Sequence, residues 1–198
     1  MRVLPYGRDG LLVELDDPRL VPAVQSALAD VAQVVEAVAG ARTVLAVATP
    51  GGLDAVRRLL AAAWFAPVAT STAAPVEIPV VYDGADLAEV SALAGLNVDE
   101  VVELHQGADY TVRFCGFSPG FAYLDGLPDV LQVQRRAEPR TRVPAGSVAI
   151  AGEFAGIYPR ASPGGWRLLG RTSVDLWDAE RDPPALLAPG TPVRFVRA

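Results

Sequence analysis

The sequence has no lysine and only one cysteine, one histidine and one methionine among its 198 residues. Without lysine, the chain has no Schiff-base lysine, no Walker A lysine and no attachment site for biotin. A single cysteine excludes an internal disulfide, and one cysteine with one histidine is too few for most structural zinc sites. We therefore expect no metal in this chain, and any ATP or biotin chemistry must use other groups or another chain.

Long apolar runs and an excess of cations are also missing. No uninterrupted apolar run reaches about 18 residues, so no transmembrane helix is expected, and residues 1–10 do not resemble a secretory signal. The formal net charge of −6 argues against binding to nucleic acid, because phosphate backbones attract surplus cations. These features predict a cytoplasmic protein that contacts neither membranes nor nucleic acid.

The charges are unevenly distributed along the chain. Residues 76–134 contain one arginine and ten acidic residues, whereas residues 135–171 contain seven arginines and two acidic residues. The basic segment is either a solvated surface or a site for a carboxylate or phosphate, and the sequence leaves both interpretations open.

Apolar periodicity predicts an α+β fold with two subdomains. The order in the first 65 residues is strand, strand, helix, strand, strand, helix. The second pair of strands, at 34–40 and 43–49, consists of continuous apolar runs that predict buried strands, and the last helix places Trp64 on its apolar face. Residues 66–75 are rich in Pro, Ser, Thr and Ala and predict a linker. A strand and two short helices, at 86–94 and 98–106, follow, and beyond residue 110 the pattern is typical of a β-barrel or sandwich. The predicted subdomains are a small α/β unit with its linker, 1–75, and a β-rich unit, 76–198.

Three ordered motifs in the second half carry a family resemblance. They are GFSPGFAYLDGLP at 116–128, VPAGSVAIAG at 143–152 and YPRASPGGW at 158–166. The chain resembles the family that comprises the B subunits of 5-oxoprolinase, the KipI-like kinase inhibitors and allophanate hydrolase subunit 1, which is a carboxyltransferase C-D subdomain. The resemblance implies that the β-rich unit is a cyclophilin-like β-barrel.

The resemblance also implies a function. A 5-oxoprolinase B subunit pairs with a larger, KipA-type C subunit. With a third protein, the complex uses ATP to open 5-oxoproline, a small cyclic amide carrying a carboxylate, to glutamate. ATP would belong to the assembled complex rather than to this chain alone. Two alternatives in the same family are a KipI-type inhibitor of a sensor histidine kinase and a carboxyltransferase-like half of an allophanate- or urea-metabolising complex.

The residues themselves favour one subunit of a complex over a self-sufficient hydrolase. The sequence has no Ser-His-Asp order with a nucleophile elbow, no glycine-rich nucleotide loop and no metal cluster. We therefore expect a heteromer in which this chain supplies one wall of a shared site.

The candidate site lies mainly in the glycine-, proline- and aromatic-rich segments 116–124 and 158–167, which we expect to meet in one cleft. Each segment is either a rigid packed turn or the wall of a ligand pocket. In the second segment, successive glycine amides would form a concave anion-binding nest or a plain hairpin turn. The predicted substrate-binding residues in these segments are Gly116, Phe117, Pro119, Gly120, Tyr123, Tyr158, Ser162, Gly164, Gly165 and Trp166.

Three further residues complete the prediction. Arg140 and Arg142 lie on one face of an extended segment, where they either hold a carboxylate bidentately or pair with the acidic stretch 97–109. His105 shares the apolar face of its helix, which indicates a core histidine, but as the only histidine it is also the candidate general acid or base at the edge of the cleft.

Overall fold

The computed structural model describes residues 1–68 and 73–198. The chain divides into two compact units, Met1–Thr70 and Ser71–Ala198. Part of the predicted linker, residues 69–72, lies outside the described residues. The α+β fold class is confirmed, because the second unit is a nearly closed, barrel-like sheet with few helices.

The N-terminal unit is a four-stranded antiparallel sheet in the order β1-β2-β4-β3, with two helices packed on it. Alternate residues of the two central strands, such as Leu11, Val13, Val44 and Ala46, are completely buried against the helices. One face of the sheet therefore carries the core of this unit. The elements are β1 (Arg2–Tyr6), β2 (Gly10–Glu14), α1 (Val21–Ala29), β3 (Val34–Ala39), β4 (Thr43–Ala48) and α2 (Leu53–Ala62).

The element order of this unit is as predicted, but two details are wrong. Helix α2 ends at Ala62, so Trp64 does not belong to its apolar face and is 87% exposed. Strand β3 is an edge strand with Val35 68% exposed, although its continuous apolar run predicted a buried strand. An apolar run alone does not distinguish an edge strand from a central one, because that depends on which strand pairs with it.

The C-terminal unit is built on a seven-stranded sheet in the order β12-β9-β10-β7-β6-β13-β5. All its pairings are antiparallel except that of β13 with β5, which is parallel. A separate two-stranded ribbon pairs β11 with β8. The elements are β5 (Val76–Val80), α3 (Leu87–Ala94), α4 (Val98–Gly107), β6 (Tyr110–Cys115), β7 (Ala122–Asp125), β8 (Arg140–Val143), β9 (Ser147–Ala151), β10 (Phe154–Ile157), β11 (Ser162–Gly164), β12 (Arg167–Arg171) and β13 (Pro192–Arg197).

The two edges of the seven-stranded sheet approach each other at Val81 and Arg171. The backbone N–H of each residue donates to the carbonyl of the other at 2.9 Å, which joins the end of β5 to the end of β12. The sheet is therefore almost closed into a barrel, which leaves few unpaired edge groups.

Both helices of this unit lie where the sequence predicts them, with bounds that agree to within a residue. Asn97 and Glu100 form a capping box at the start of α4, in which each side chain accepts a hydrogen bond from the other residue's backbone N–H. Helix α3 ends at Gly95, whose φ of 67° is in the left-handed region that favours glycine. Apolar residues of both helices contribute to the main core of the barrel.

Candidate functional site

The two predicted motif segments meet at an aromatic pocket on the C-terminal unit. Phe121 is at the centre, with its ring centroid 5.4 Å from that of Tyr158 and 5.3 Å from that of Trp166, both nearly edge-to-face. Tyr123 lies 5.5 Å from Trp166 in the same manner. The cavity has a volume of about 80 Å³ and is lined by Phe117, Phe121, Tyr123, Arg135, Tyr158, Pro163, Gly164, Gly165 and Trp166.

Strand geometry brings these aromatic side chains together. Phe121 and Tyr123 flank the start of β7, while Tyr158 follows the end of the neighbouring β10. On β10, a Cβ added at Gly156 would lie 2.9 Å from the Trp166 ring and 3.2 Å from the Phe121 ring. The missing side chain at this position therefore lets both rings pack against the strand.

The turn before β7 holds Phe117 at the lip of the pocket in an unusual conformation. Its φ is 66°, in the left-handed region that non-glycine residues rarely occupy, and its side chain is 60% exposed. The turn is fixed by the Gly116 N–H donating to the Phe121 carbonyl at 3.2 Å and the Phe121 N–H donating to the Ser118 carbonyl at 3.0 Å. A strained, exposed aromatic residue at a cavity is typical of a ligand or partner contact.

Tyr158 and Gly164 approach each other closely in the wall of the pocket. A Cβ at Gly164 would lie 2.3 Å from the Tyr158 hydroxyl oxygen, so no larger residue fits there without displacing the ring. Burial raises the pKa of Tyr158, although its hydrogen bond with the Trp166 backbone and the charge of Arg135 oppose this. Burial likewise raises the pKa of Tyr123, again opposed by Arg135. Both phenols are therefore neutral near pH 7 and can donate hydrogen bonds.

Arg135 is the one charged side chain in the lining, and it lies outside the motifs that predicted the site. It is exposed, and no acidic side chain of the described residues lies within 4.0 Å of its guanidinium group. The signal in the sequence was the Arg135-Arg136 pair at the start of the basic segment, seven residues after the first motif ends at Pro128.

Arg140 does not lie in the pocket lining. Its guanidinium group binds Asp86 bidentately at 2.7 and 2.8 Å, and Arg136 donates to the same carboxylate at 3.1 Å. Asp86 is only 1% exposed and also accepts from the Leu168 N–H at 2.7 Å. Of the two alternatives for Arg140, the structure favours an internal ion pair, but with Asp86 rather than with the stretch 97–109.

Arg142 is also outside the lining of the pocket. It is exposed on β8, two residues beyond Arg140. The structure therefore does not bring the two arginines together as a clamp at the cavity.

His105 lies inside the barrel core, not at the edge of the cleft. It is 0% exposed, its Nδ1 is 2.8 Å from the Tyr82 hydroxyl, and its ring centroid is 4.4 Å from that of Phe195. Burial lowers its pKa to about 3, so the ring is neutral near pH 7. This environment favours the core-histidine alternative, because a general acid or base must reach the reacting group.

The backbone at 164–165 does not have the geometry of an anion nest, which was one of the two alternatives for this motif. A nest needs a left-handed residue, and neither Gly164 nor Gly165 has a positive φ. Gly164 instead ends strand β11, and Trp166 is 5% exposed within the aromatic cluster. The remaining predicted residues (Gly116, Pro119, Gly120 and Ser162) lie in the two segments without lining the cavity.

Another cavity, of about 480 Å³, opens at the surface of the N-terminal unit. Its charges are satisfied internally, because Arg2 pairs with Glu14 and Arg42 donates to the Asp16 carbonyl at 2.6 Å. The aromatic pocket is therefore the better candidate site.

Within residues 1–68 and 73–198, no cluster of His, Cys, Asp or Glu is arranged to hold a metal ion. No helix in the same residues is long and apolar enough to span a membrane.

Comparison with known proteins assigns the chain to a family. Residues 1–187 match the family described as carboxyltransferase domain, subdomain C and D. The B subunit of the 5-oxoprolinase of Escherichia coli O157:H7 is 44% identical over 204 residues, which cover 96% of this chain and 93% of that protein.

Solved structures agree with this relationship. The crystal structure of TTHA0988 is 37% identical with a TM-score of 0.82, and the match covers 96% of this chain but only 40% of that longer one. The urea carboxylase of Kluyveromyces lactis shares the fold, with 19% identity and a TM-score of 0.76 over 99% of this chain and 21% of that enzyme. The chain belongs to the carboxyltransferase subdomain C and D family.

Proposed function

We propose that this chain is the B subunit of a bacterial ATP-dependent 5-oxoprolinase and acts with a C-subunit partner to open 5-oxoproline to glutamate. The observation that carries the proposal is the end-to-end similarity to a protein named as the B subunit of 5-oxoprolinase, at 44% identity over 93% of that protein. In this proposal the aromatic pocket binds the five-membered ring, and the other subunits supply the remaining groups.

The composition of the pocket supports a binding role rather than a complete active site. Its lining holds aromatic rings, one arginine, one proline and two glycines, but no carboxylate, cysteine, serine or histidine. None of these groups is an effective nucleophile or general base near pH 7, because the two phenols have raised pKa values. The groups that attack the amide carbonyl therefore come from another subunit.

The size of the pocket also supports a site that is completed by another subunit. A volume of about 80 Å³ is well below the roughly 300–1,000 Å³ of typical ligand sites and corresponds to a few water molecules. Such a cavity admits one small ring or part of a ligand, with the rest covered by a partner. ATP would bind to the other subunits, since this chain offers neither a lysine nor a glycine-rich phosphate loop.

Reconstitution tests the proposed function directly. The chain is co-purified with the larger, KipA-type partner and the third protein encoded in the same genome, and glutamate release from 5-oxoproline is measured with and without ATP. We expect release only when all three proteins and ATP are present. Full activity of this chain alone, or an assembled complex that never releases glutamate, contradicts the proposal.

A further inference from the structure

We propose that Arg135 recognises a carboxylate at the aromatic pocket, so the ligand of this pocket is a small ring that carries a carboxylate. This inference deepens the proposed function and rests on it for the choice of 5-oxoproline as the ligand. It also replaces Arg140 and Arg142, which the sequence indicated for this role.

Comparison of the arginines in the basic segment singles out Arg135. Of the seven arginines in 135–171, four pair with acidic side chains: Arg136 and Arg140 with Asp86, Arg167 with Glu89, and Arg171 with Asp83. For the other three (Arg135, Arg142 and Arg160) no ion pair occurs within the described part of the chain, and all three are exposed. Arg135 alone among these three lines the cavity.

The polar side chains of the lining all suit an anion. Tyr123 and Tyr158 are neutral phenols whose hydroxyl groups lie close enough to Arg135 for its charge to oppose the rise in their pKa values. No carboxylate lines the cavity to compete for the guanidinium group. The pocket thus combines one cation with two neutral phenols and no charged acceptor.

The aromatic walls favour a carboxylate attached to a ring over an inorganic anion. Phe121, Tyr158 and Trp166 meet edge-to-face in the wall of the cavity, and Phe117 in the same lining is 60% exposed. Aromatic surface is therefore available to apolar ring atoms of a ligand beside the exposed Arg135. A planar guanidinium group can hold a carboxylate through two parallel hydrogen bonds. A free phosphate would match the cation but would leave the aromatic surfaces without an apolar partner.

Binding to the full chain tests the proposal without requiring turnover. Calorimetric titrations compare 5-oxoproline with its carboxamide, which keeps the ring and lacks the negative charge, and with inorganic phosphate. We expect the wild-type chain to prefer the carboxylate over the carboxamide by about ten- to a hundred-fold, because a charged hydrogen-bonded pair is lost in the carboxamide. Arg135→Gln should abolish that preference, whereas the matched control Arg160→Gln, which removes an exposed charge outside the lining, should retain it.

Each alternative result is decisive. The proposal is overturned if wild-type chain shows no saturable binding, if it binds phosphate as tightly as 5-oxoproline, or if Arg135→Gln keeps the preference for the carboxylate. Melting temperatures of both variants close to wild type establish that the comparison concerns folded proteins.

Turnover of the assembled complex separates this inference from the proposed function. An active complex whose KM for 5-oxoproline is unchanged by Arg135→Gln refutes the role of Arg135 and leaves the proposed function standing. Carboxylate binding that depends on Arg135, in a complex that never releases glutamate, refutes the proposed function and leaves the recognition role standing.

Discussion

Replacing Asp86 should cost the C-terminal unit far more stability than its place between a turn and a short helix suggests. The carboxylate is 1% exposed and accepts two hydrogen bonds from Arg140, one from Arg136 and one from the Leu168 N–H. Burial opposes its ionisation, but the hydrogen bonds from Arg140 and Leu168 and the charges of both arginines outweigh it, so the pKa of Asp86 is lowered. The ionised carboxylate therefore ties the start of α3 to β8 and β12.

The expected loss of stability follows from the groups that Asp86→Ala leaves without a hydrogen-bonding partner. Two guanidinium groups lose a buried partner and one buried N–H of β12 loses its acceptor, and breaking a buried ion pair in this way costs about 3–5 kcal/mol. For a unit of this size, that loss corresponds to a drop of roughly 10–20 °C in melting temperature. The matched control is Asp83→Ala, because Asp83 pairs with Arg171 at 2.8 Å on the surface, with both side chains about half exposed. An exposed pair is worth about 1 kcal/mol or less.

Thermal and urea unfolding of wild type, Asp86→Ala and Asp83→Ala measure the difference. The transition of the C-terminal unit should shift strongly in the first variant and scarcely in the second. If both variants lose the same small free energy of unfolding, Asp86 is not the centre of a buried network, and Arg140 is not held by a strong ion pair within the fold.

Two further predictions concern the pocket and the core. Gly164→Ala should lower affinity for 5-oxoproline by displacing Tyr158. The control Gly107→Ala lies outside the lining, and its added methyl meets nothing within 4 Å, so it should bind normally. Equal affinities in the two variants would contradict the close packing of the wall. Burial lowers the pKa of His105 in the folded chain to about 3, against an ordinary value of 6.5, so the unfolded chain binds the proton more readily. The stability contributed by the neutral ring is therefore fully present above pH 6.5 and decreases as the pH falls toward 3. His105→Leu should flatten the loss of stability between about pH 6.5 and 4 in denaturant titrations, and an unchanged pH dependence would show that the histidine is not buried in the neutral form.

Local signals in the sequence were sufficient for most of the elements. Helix α4 follows from its apolar face, which His105 shares, and β2 and β4 follow from apolar residues bounded by turns. The exposure of Trp64 and Val35 could not be predicted in this way, because it depends on where a helix stops and on which strand occupies the sheet edge.

The candidate site was only partly predictable. The aromatic pocket is formed mainly by the two segments that the sequence singled out, where residues such as Phe121 and Trp166 are unusual among so many glycines and prolines. It did not identify the cation of the pocket. Asp86 lies 54 residues from Arg140, and only the folded chain reveals that this acid occupies Arg140 while Arg135 has no acidic partner among the described residues.

Two site features depend on backbone geometry that residue type does not specify. In the GFSPGF turn, a left-handed conformation is present at Gly120, with a φ of 81°, but also at Phe117, where a glycine would be the usual choice. At Gly164, the absence of a Cβ leaves room for the Tyr158 hydroxyl, and the residue does not adopt a left-handed conformation. In both cases a tertiary contact, and not local propensity, explains the residue.

The parallel pairing of β5 with β13 has a consequence for synthesis of the protein. β5 is the first strand of the C-terminal unit and β13 is the last, so the pair joins the two ends of the unit across nearly its whole length. A nascent chain can form the N-terminal sheet and its helices from local contacts. Before β13 has left the ribosome, however, the only strand pairing shown near β5 in the described residues is the bridge between Val81, just beyond its end, and Arg171 of β12. Until then β5 and β6 each present an unpaired, largely apolar edge, which makes this interval the stage at which a chaperone would be most useful.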